Sequence, residues 1–252
     1  EKMSLKFSMK EISNRHILYV AFYYLMKTNQ IDRAKKFTDK YANFIKGSKD
    51  HWELSILAYF YKKIGEIKKS IEVYKKADKI QKELECGGFF YLDKLAENYI
   101  MLEDYKSANK AIKEYYEVYD ENTEWADGSH SQHKLQLKGR EIVIDIKKGD
   151  IESAYVAIHK IKNQKETEIL DYNRDFVLSR LYFVLNNVDE GYRWLNSFHE
   201  KSHITRNDLT IMFEPDFENA RKDPRYLALL KELNIYDFWK DEPEIKKLEK
   251  GK

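Results

Sequence analysis

Cysteine, proline and glycine are all scarce in this chain of 252 residues, and each shortage excludes something. The single cysteine, Cys86, cannot close an internal disulfide, so packing must hold any fold and no oxidising compartment is required. That fits the cytoplasm and leaves the periplasm open. Three prolines and 9 glycines are too few for a turn-rich β-sandwich, and the abundance of Lys, Glu, Leu, Ile and Tyr leans towards long helices. Long apolar runs are missing too. The richest, Ile17 to Met26, has ten residues against the ~18 that a membrane helix needs, so no membrane partner is expected. No sign of charge dominates: 45 basic and 43 acidic residues leave a net +2, without the electrostatic footprint of a nucleic-acid binder. The chain opens on Glu1 rather than methionine and nothing near it reads as a signal peptide, so a preceding segment is expected to have been removed by processing or by the design of the expressed chain.

What is present is a 42% hydrophobic, 35% charged chain with an internal period. An apolar stripe, a short polar turn, an apolar residue and then a small residue recur five times. The turns are Thr28-Asn29-Gln30-Ile31 then Ala34, Ile64-Gly65-Glu66-Ile67 then Ser70, Leu102-Glu103-Asp104-Tyr105 then Ala108, Lys148-Gly149-Asp150-Ile151 then Ala154, and Asn186-Asn187-Val188 then Gly191. From Ile31 to Ile67, Tyr105, Ile151 and Val188 the spacings are 36, 38, 46 and 37, so one interval carries an insertion. Leu54, Leu57, Ala58 and Tyr61 fall on one helical face, as do Leu92, Leu95, Ala96 and Tyr99. Gly65, Gly149 and Asn186 stand where a first helix must stop and tolerate the left-handed conformation of a helix C-cap. Small residues mark close crossings, Ala58 against Ser70, Ala96 against Ala108 and Ser179 against Gly191, while Tyr74, Ile112 and Leu195 fill the wider gaps. An all-α chain of at least ten helices follows.

At these residues the sequence resembles the tetratricopeptide-repeat family, most closely over Leu54 to Ala77, and also over Leu92 to Tyr115 and Leu178 to Phe198. The first and fourth copies fit less well: Ala21 with Tyr24 needs one extra turn residue, and Glu141 sits at a normally small position. The resemblance implies a right-handed α-solenoid of about five helix pairs over residues 14–203, after an N-terminal segment 1–13. A capping segment 204–239 and a charged, mobile tail 240–252 follow. In the cap, Asp223 reads as an N-cap and Pro224 as the first helical residue, opening a helix whose Leu227, Leu230 and Leu233 cover the last repeat. The run Phe213 to Leu233 resembles the terminal segment of tetratricopeptide regions in bacterial multidomain regulators, which suggests a bacterial source and an effector domain elsewhere.

The insertion, Asp120 to Gln132, reads as a surface loop whose Trp125 is either tucked onto the helices or displayed for a partner. Cys86-Gly87-Gly88 lengthens another inter-repeat turn. His199-Glu200-Lys201-Ser202-His203 has the spelling of a zinc-peptidase helix, but charged Lys201, the approaching turn and the lack of a third ligand favour ordinary surface residues. His130 and His133 without a Cys pair point no further towards metal. No phosphate loop or nucleophile elbow occurs, so no catalytic, cofactor or metal residue is assigned and no enzyme is expected. The lysines of the second repeat, including Lys62 and Lys63, alternate with Glu66, Glu72, Asp78 and Glu83 and read as a solvated face.

Protein or peptide binding remains the expected role. In a tetratricopeptide superhelix the first helix of each pair lines the concave surface, and the resemblance therefore implies a groove at the non-core positions of those helices. Here these are Arg15, Tyr19 and Phe22; Trp52, Ser55, Tyr59 and Lys62; Phe90, Asp93, Lys94 and Glu97; Lys138; and Arg180. Aromatic anchors among mixed charges suit an extended segment or helix. The competing reading is that several of these aromatics pack within the chain. Family members that clamp a C-terminal carboxylate use asparagines at several such positions, and those are missing here.

Overall fold

The computed structural model describes residues 15–84, 90–118, 129–164, 171–201 and 208–250, and among these every regular element is helical. Ten helices come first: α1 (Arg15–Lys27), α2 (Ile31–Phe44), α3 (His51–Lys63), α4 (Ile67–Glu83), α5 (Phe90–Met101), α6 (Tyr105–Val118), α7 (Ser129–Lys148), α8 (Ile151–Lys162), α9 (Asp171–Val184) and α10 (Val188–Lys201). They form five hairpins, α1–α2 through α9–α10, each helix packing on its successor.

One backbone device makes all five hairpin turns. Asn29, Gly65, Glu103, Gly149 and Asn186 each take a positive φ, between 54° and 88°, two residues before the next helix starts. The chain then reverses through a pair of hydrogen bonds to the outgoing helix, Glu66 N donating to Tyr61 O at 2.8 Å and Gly65 N to Lys62 O at 3.1 Å in the second turn. The same pair recurs at the other four. This is the Schellman C-cap, which satisfies carbonyls that a helix end leaves open. Glycine and asparagine suit the left-handed residue, whereas Glu103 adopts it at a cost.

The crossings expected from the small residues are close ones. Ala58 and Ser70 are fully buried, and the Ser70 hydroxyl donates to Ala58 O at 2.8 Å while accepting from Asn98 Nδ2 at 2.8 Å. A Cβ on Gly191 would lie 2.6 Å from the Phe183 ring, so α9 and α10 meet at a distance only glycine allows. In the fourth pair the tight approach moves to Gly139, whose added Cβ would lie 2.9 Å from Val177 Cγ1 on α9. Glu141 is not at the crossing; it pairs with Lys138 at 2.8 Å. Phe22 and Phe60 stack with ring centres 4.1 Å apart, both without exposure, at the centre of the first two hairpins.

After α10 the chain returns across the hairpins through α11 (Asp208–Phe213), a 3-10 turn (Pro215–Phe217), α12 (Glu218–Arg221), α13 (Arg225–Glu232), α14 (Tyr236–Trp239) and α15 (Pro243–Lys250). Asp223 accepts from Arg225 N at 2.9 Å ahead of α13, and Leu227 and Leu230 are buried as the apolar face requires. Residues 240–252, read from sequence as a mobile charged tail, instead hold α15, because Ile245 is buried at 2% exposure and Leu248 packs beside it on the same core. The returning segment reaches the first hairpin: Trp239 Nε1 donates to Lys27 O at 2.7 Å, and Asn29 Nδ2 to Glu242 Oε1 at 2.6 Å. Residues 119–128, with Trp125, lie outside the described residues, as do 85–89 with Cys86; the expected loop is shorter than read, since Ser129 already opens α7.

Candidate functional site

The first helices of the hairpins, α3, α5, α7 and α9, line a partly open cavity of about 240 Å³ whose floor is charged. Lys62 and Lys63 end α3, Asp93, Lys94 and Glu97 lie on consecutive turns of α5, Arg140 comes from α7 and Arg180 from α9. Glu214 enters from the returning segment, between α11 and the 3-10 turn. Its carboxylate meets Lys63 Nζ at 2.8 Å, Lys62 Nζ at 3.0 Å and Arg180 at 2.6 Å. Glu97 meets Lys62 at 2.7 Å and Arg140 and Arg180 at 3.2 Å each. Arg140 also pairs with the Asp93 carboxylate and donates to Asp93 O at 2.7 Å, and Arg180 reaches Asp216 at 3.1 Å.

Apart from Lys94, these groups are largely withdrawn from water, which sets their ionisation. Burial alone would raise the Glu214 carboxyl, but Lys62, Lys63 and Arg180 outweigh it and hold it well below the usual carboxylate range. Glu97 is held low by the same contest, with Lys62 the largest opposing charge. Burial lowers the Lys62 ammonium against Glu214 and Glu97, and pushes the Arg140 guanidinium down to about 9 with Arg180 adding to it, so Arg140 still carries its charge at neutral pH. The Asp216 carboxyl is raised, since its desolvation exceeds what Arg180 returns. Buried charges of this kind hold together only as a set: removing one partner of a buried pair typically costs about 3–5 kcal/mol, because the other is left uncompensated.

Above this floor stand aromatic side chains. Tyr59 and Tyr19 lie with ring centres 5.5 Å apart, and burial pushes each phenol up to about 12. Tyr74 and Phe176 complete the apolar lining, with Gln136 and Asn173 as its neutral polar groups. A smaller cavity of about 80 Å³ lies on the other side of the ion cluster, and Glu97, Arg140, Arg180 and Glu214 border both.

Of the residues the sequence assigns to the groove, Tyr59, Lys62, Asp93, Lys94, Glu97 and Arg180 line one cavity, with Tyr19 against Tyr59. Phe22 is a correction: it has no exposure, because it stacks on Phe60 in the seam between the first two hairpins. Lys138 is another. It is exposed and paired with Glu141, whereas Gln136 and Arg140, one turn apart, share the cavity face that position 138 cannot. Trp52 is half exposed beside His51 and Ser55 is partly buried, and neither lines the cavity. Arg15 and Phe90 sit on α1 and α5 with side chains outside the described ones. Lys62 and Lys63, read as part of a solvated face, are buried by Glu214.

Sequence reasoning misses Glu214, Asp216 and Arg140. The first two belong to a Phe-Glu-Pro-Asp-Phe stretch with no helical period to read, and Arg140 lies in the copy whose register is least regular. His199 and Glu200 lie in the last turn of α10, Lys201 pairs with Asp175 at 2.9 Å, and His203 is outside the described residues. Among the described residues no group of three His, Cys, Asp or Glu side chains is placed to hold a metal ion, and no helix is long and apolar enough to cross a membrane. Comparison of the chain with family models, with curated proteins and with solved structures finds no match.

Proposed function

We propose that this chain is a protein-binding module, a right-handed solenoid of five tetratricopeptide-like pairs whose concave wall holds an extended segment or helix of a partner. The observation that carries the reading is the convergence of Tyr59, Lys62, Lys94, Glu97 and Arg180, from three different hairpins, on one cavity. Five hairpins with one shared turn geometry support the solenoid. Stiff aromatic rings beside fixed charges supply the contact area and register that peptide recognition uses, at small cost in side-chain entropy. Glu214 has a structural part in this: it offsets part of the floor's positive charge and ties the wall to the returning segment.

The test is photo-cross-linking. A photoreactive side chain at Tyr19, on the exposed rim, should capture a defined partner, and Tyr59→Ala should weaken that binding by about 2 kcal/mol, the range of an interface hot spot. Lys75→Ala, at an exposed position of α4, is the control and should change little. A partner that binds the folded Tyr59→Ala chain as tightly as the parent removes the cavity from the reading.

A further inference from the structure

The cavity has a composition that favours one kind of occupant. The hairpin helices alone bring five cations to it, Lys62, Lys63, Lys94, Arg140 and Arg180, against two carboxylates, Asp93 and Glu97. The chain itself places an acidic segment on this surplus: Glu214 takes Lys62, Lys63 and Arg180, and Asp216 takes Arg180. Phe217 docks with them, fully buried with its ring 5.6 Å from that of Phe176 on α9, while Phe213 packs its ring 5.6 Å from that of Trp239 within the returning segment. Phe-Glu-Pro-Asp-Phe is thus an acidic, aromatic segment already bound to the wall.

It does not use the wall fully. Lys94, with 43% of its side chain exposed, pairs among the described residues only with its chain neighbour Asp93, at 3.2 Å. Two further donors on residues that line the cavity, Arg140 Nε and Asn173 Nδ2, are buried and donate to no acceptor among the described residues. Arg140 as a whole is 4% exposed. Buried N–H groups seek acceptors, and a half-exposed ammonium beside them favours acceptors that carry negative charge.

We infer that the groove selects acidic partner segments, in which an Asp or Glu side chain enters the cavity against Lys94, Asn173 and Arg140 while a neighbouring aromatic residue packs on Tyr59 and Tyr19. Glu214 stays in place, and the bound segment repeats beside it the pattern that residues 213–217 make within the chain. The inference rests on the groove reading given above. The charges that remain after Glu214 and Asp216 are bound still leave the cations in excess by one, so a carboxylate is attracted and a basic segment is repelled.

Selection of a displayed library of short random peptides on the full chain tests this, followed by fluorescence anisotropy of the recovered peptides. Peptides dependent on Tyr59 should be enriched in Asp and Glu next to aromatic residues. Changing their Asp and Glu to Asn and Gln should weaken binding at least about tenfold, as should Lys94→Glu in the protein, and added salt should weaken it further. Lys138→Glu, outside the cavity, should leave affinity unchanged. Tyr59-dependent peptides that are neutral or basic, or that bind equally well as amides, overturn the acidic selection and leave the groove standing. Recovery of no Tyr59-dependent peptide overturns both.

Discussion

The hairpin turns and the buried ion cluster are built on opposite principles. Each turn closes within six residues, and its left-handed residue and two hydrogen bonds are fixed by the local chain. The cluster joins Lys62 and Lys63 to Glu214, more than 150 positions apart in sequence. The turns make each hairpin, whereas the cluster ties helices from four hairpins to one another and to the returning segment. A turn fails softly, by a fraction of the domain's stability. The cluster fails as a unit, because every charge in it depends on the others for compensation.

Substitutions that separate the two kinds of structure sharpen this contrast. The largest effect is expected from Leu230→Asp, which sets an unpaired carboxylate at a position with no exposure and should cost more than about 5 kcal/mol, comparable with the whole stability of a domain. Thermal melting at the parent's temperature would show that the returning segment does not depend on α13. Glu214→Ala comes next, at about 3–5 kcal/mol in urea unfolding, since it strips Lys62, Lys63 and Arg180 of a shared buried partner. A loss no larger than that of an exposed ion pair, below about 1 kcal/mol, would mean that water reaches the cluster.

The same carboxylates set an acid limit. Glu214 and Glu97 are held low in the folded chain, so their contribution is present above the unfolded glutamate value of about 4.3 and is lost as pH falls through their folded values. Asp216, raised, has the opposite sign: its contribution is fullest when protonated and is lost as pH rises through its folded value. Stability measured by denaturant titration should therefore fall steeply below about pH 4, and Glu214→Gln should flatten that fall. Superimposable acid limbs for parent and variant would remove Glu214 from the explanation.

The seams and turns should respond less. Gly191→Ala drives a methyl to 2.6 Å from the Phe183 ring and is expected to cost about 1–3 kcal/mol, the range of overpacked cores. Glu103→Gly should do the reverse and raise stability by about 0.5 kcal/mol. It relieves a left-handed penalty of ~1 kcal/mol, offset in part by the freedom glycine adds to the unfolded chain. A destabilised Glu103→Gly would mean that the third turn owes its shape to something other than the backbone.

Legibility followed sequence separation. The turns at Gly65, Gly149 and Asn186 could be read because a helix stop, a polar residue and a resumed apolar period all fall within a few residues. Six cavity residues on α3, α5 and α9 followed from counting along helices whose register the apolar stripe fixes. Where that stripe is irregular, as on α7, the count slipped from Gln136 and Arg140 to Lys138. Phe22 is misplaced because an aromatic residue at the edge of an apolar stripe in mid-helix satisfies a core and a groove equally well until its neighbour, Phe60, is known. Ile245 was missed because a lone isoleucine among charges carries almost no period.

By itself, then, the sequence determined that this is a helical chain, where its hairpins turn and which small residues let the helices approach. Those properties depend on backbone conformation and on contacts between residues close along the chain. Only the tertiary structure decided that Lys62 and Lys63 are buried, that both pair with Glu214, and that Trp239 and Glu242 return to Lys27 and Asn29. A charged side chain looks the same in sequence whether it meets water or a carboxylate from the far end of the chain. Which it meets depends on the position of every hairpin between them, and no local pattern records that sum.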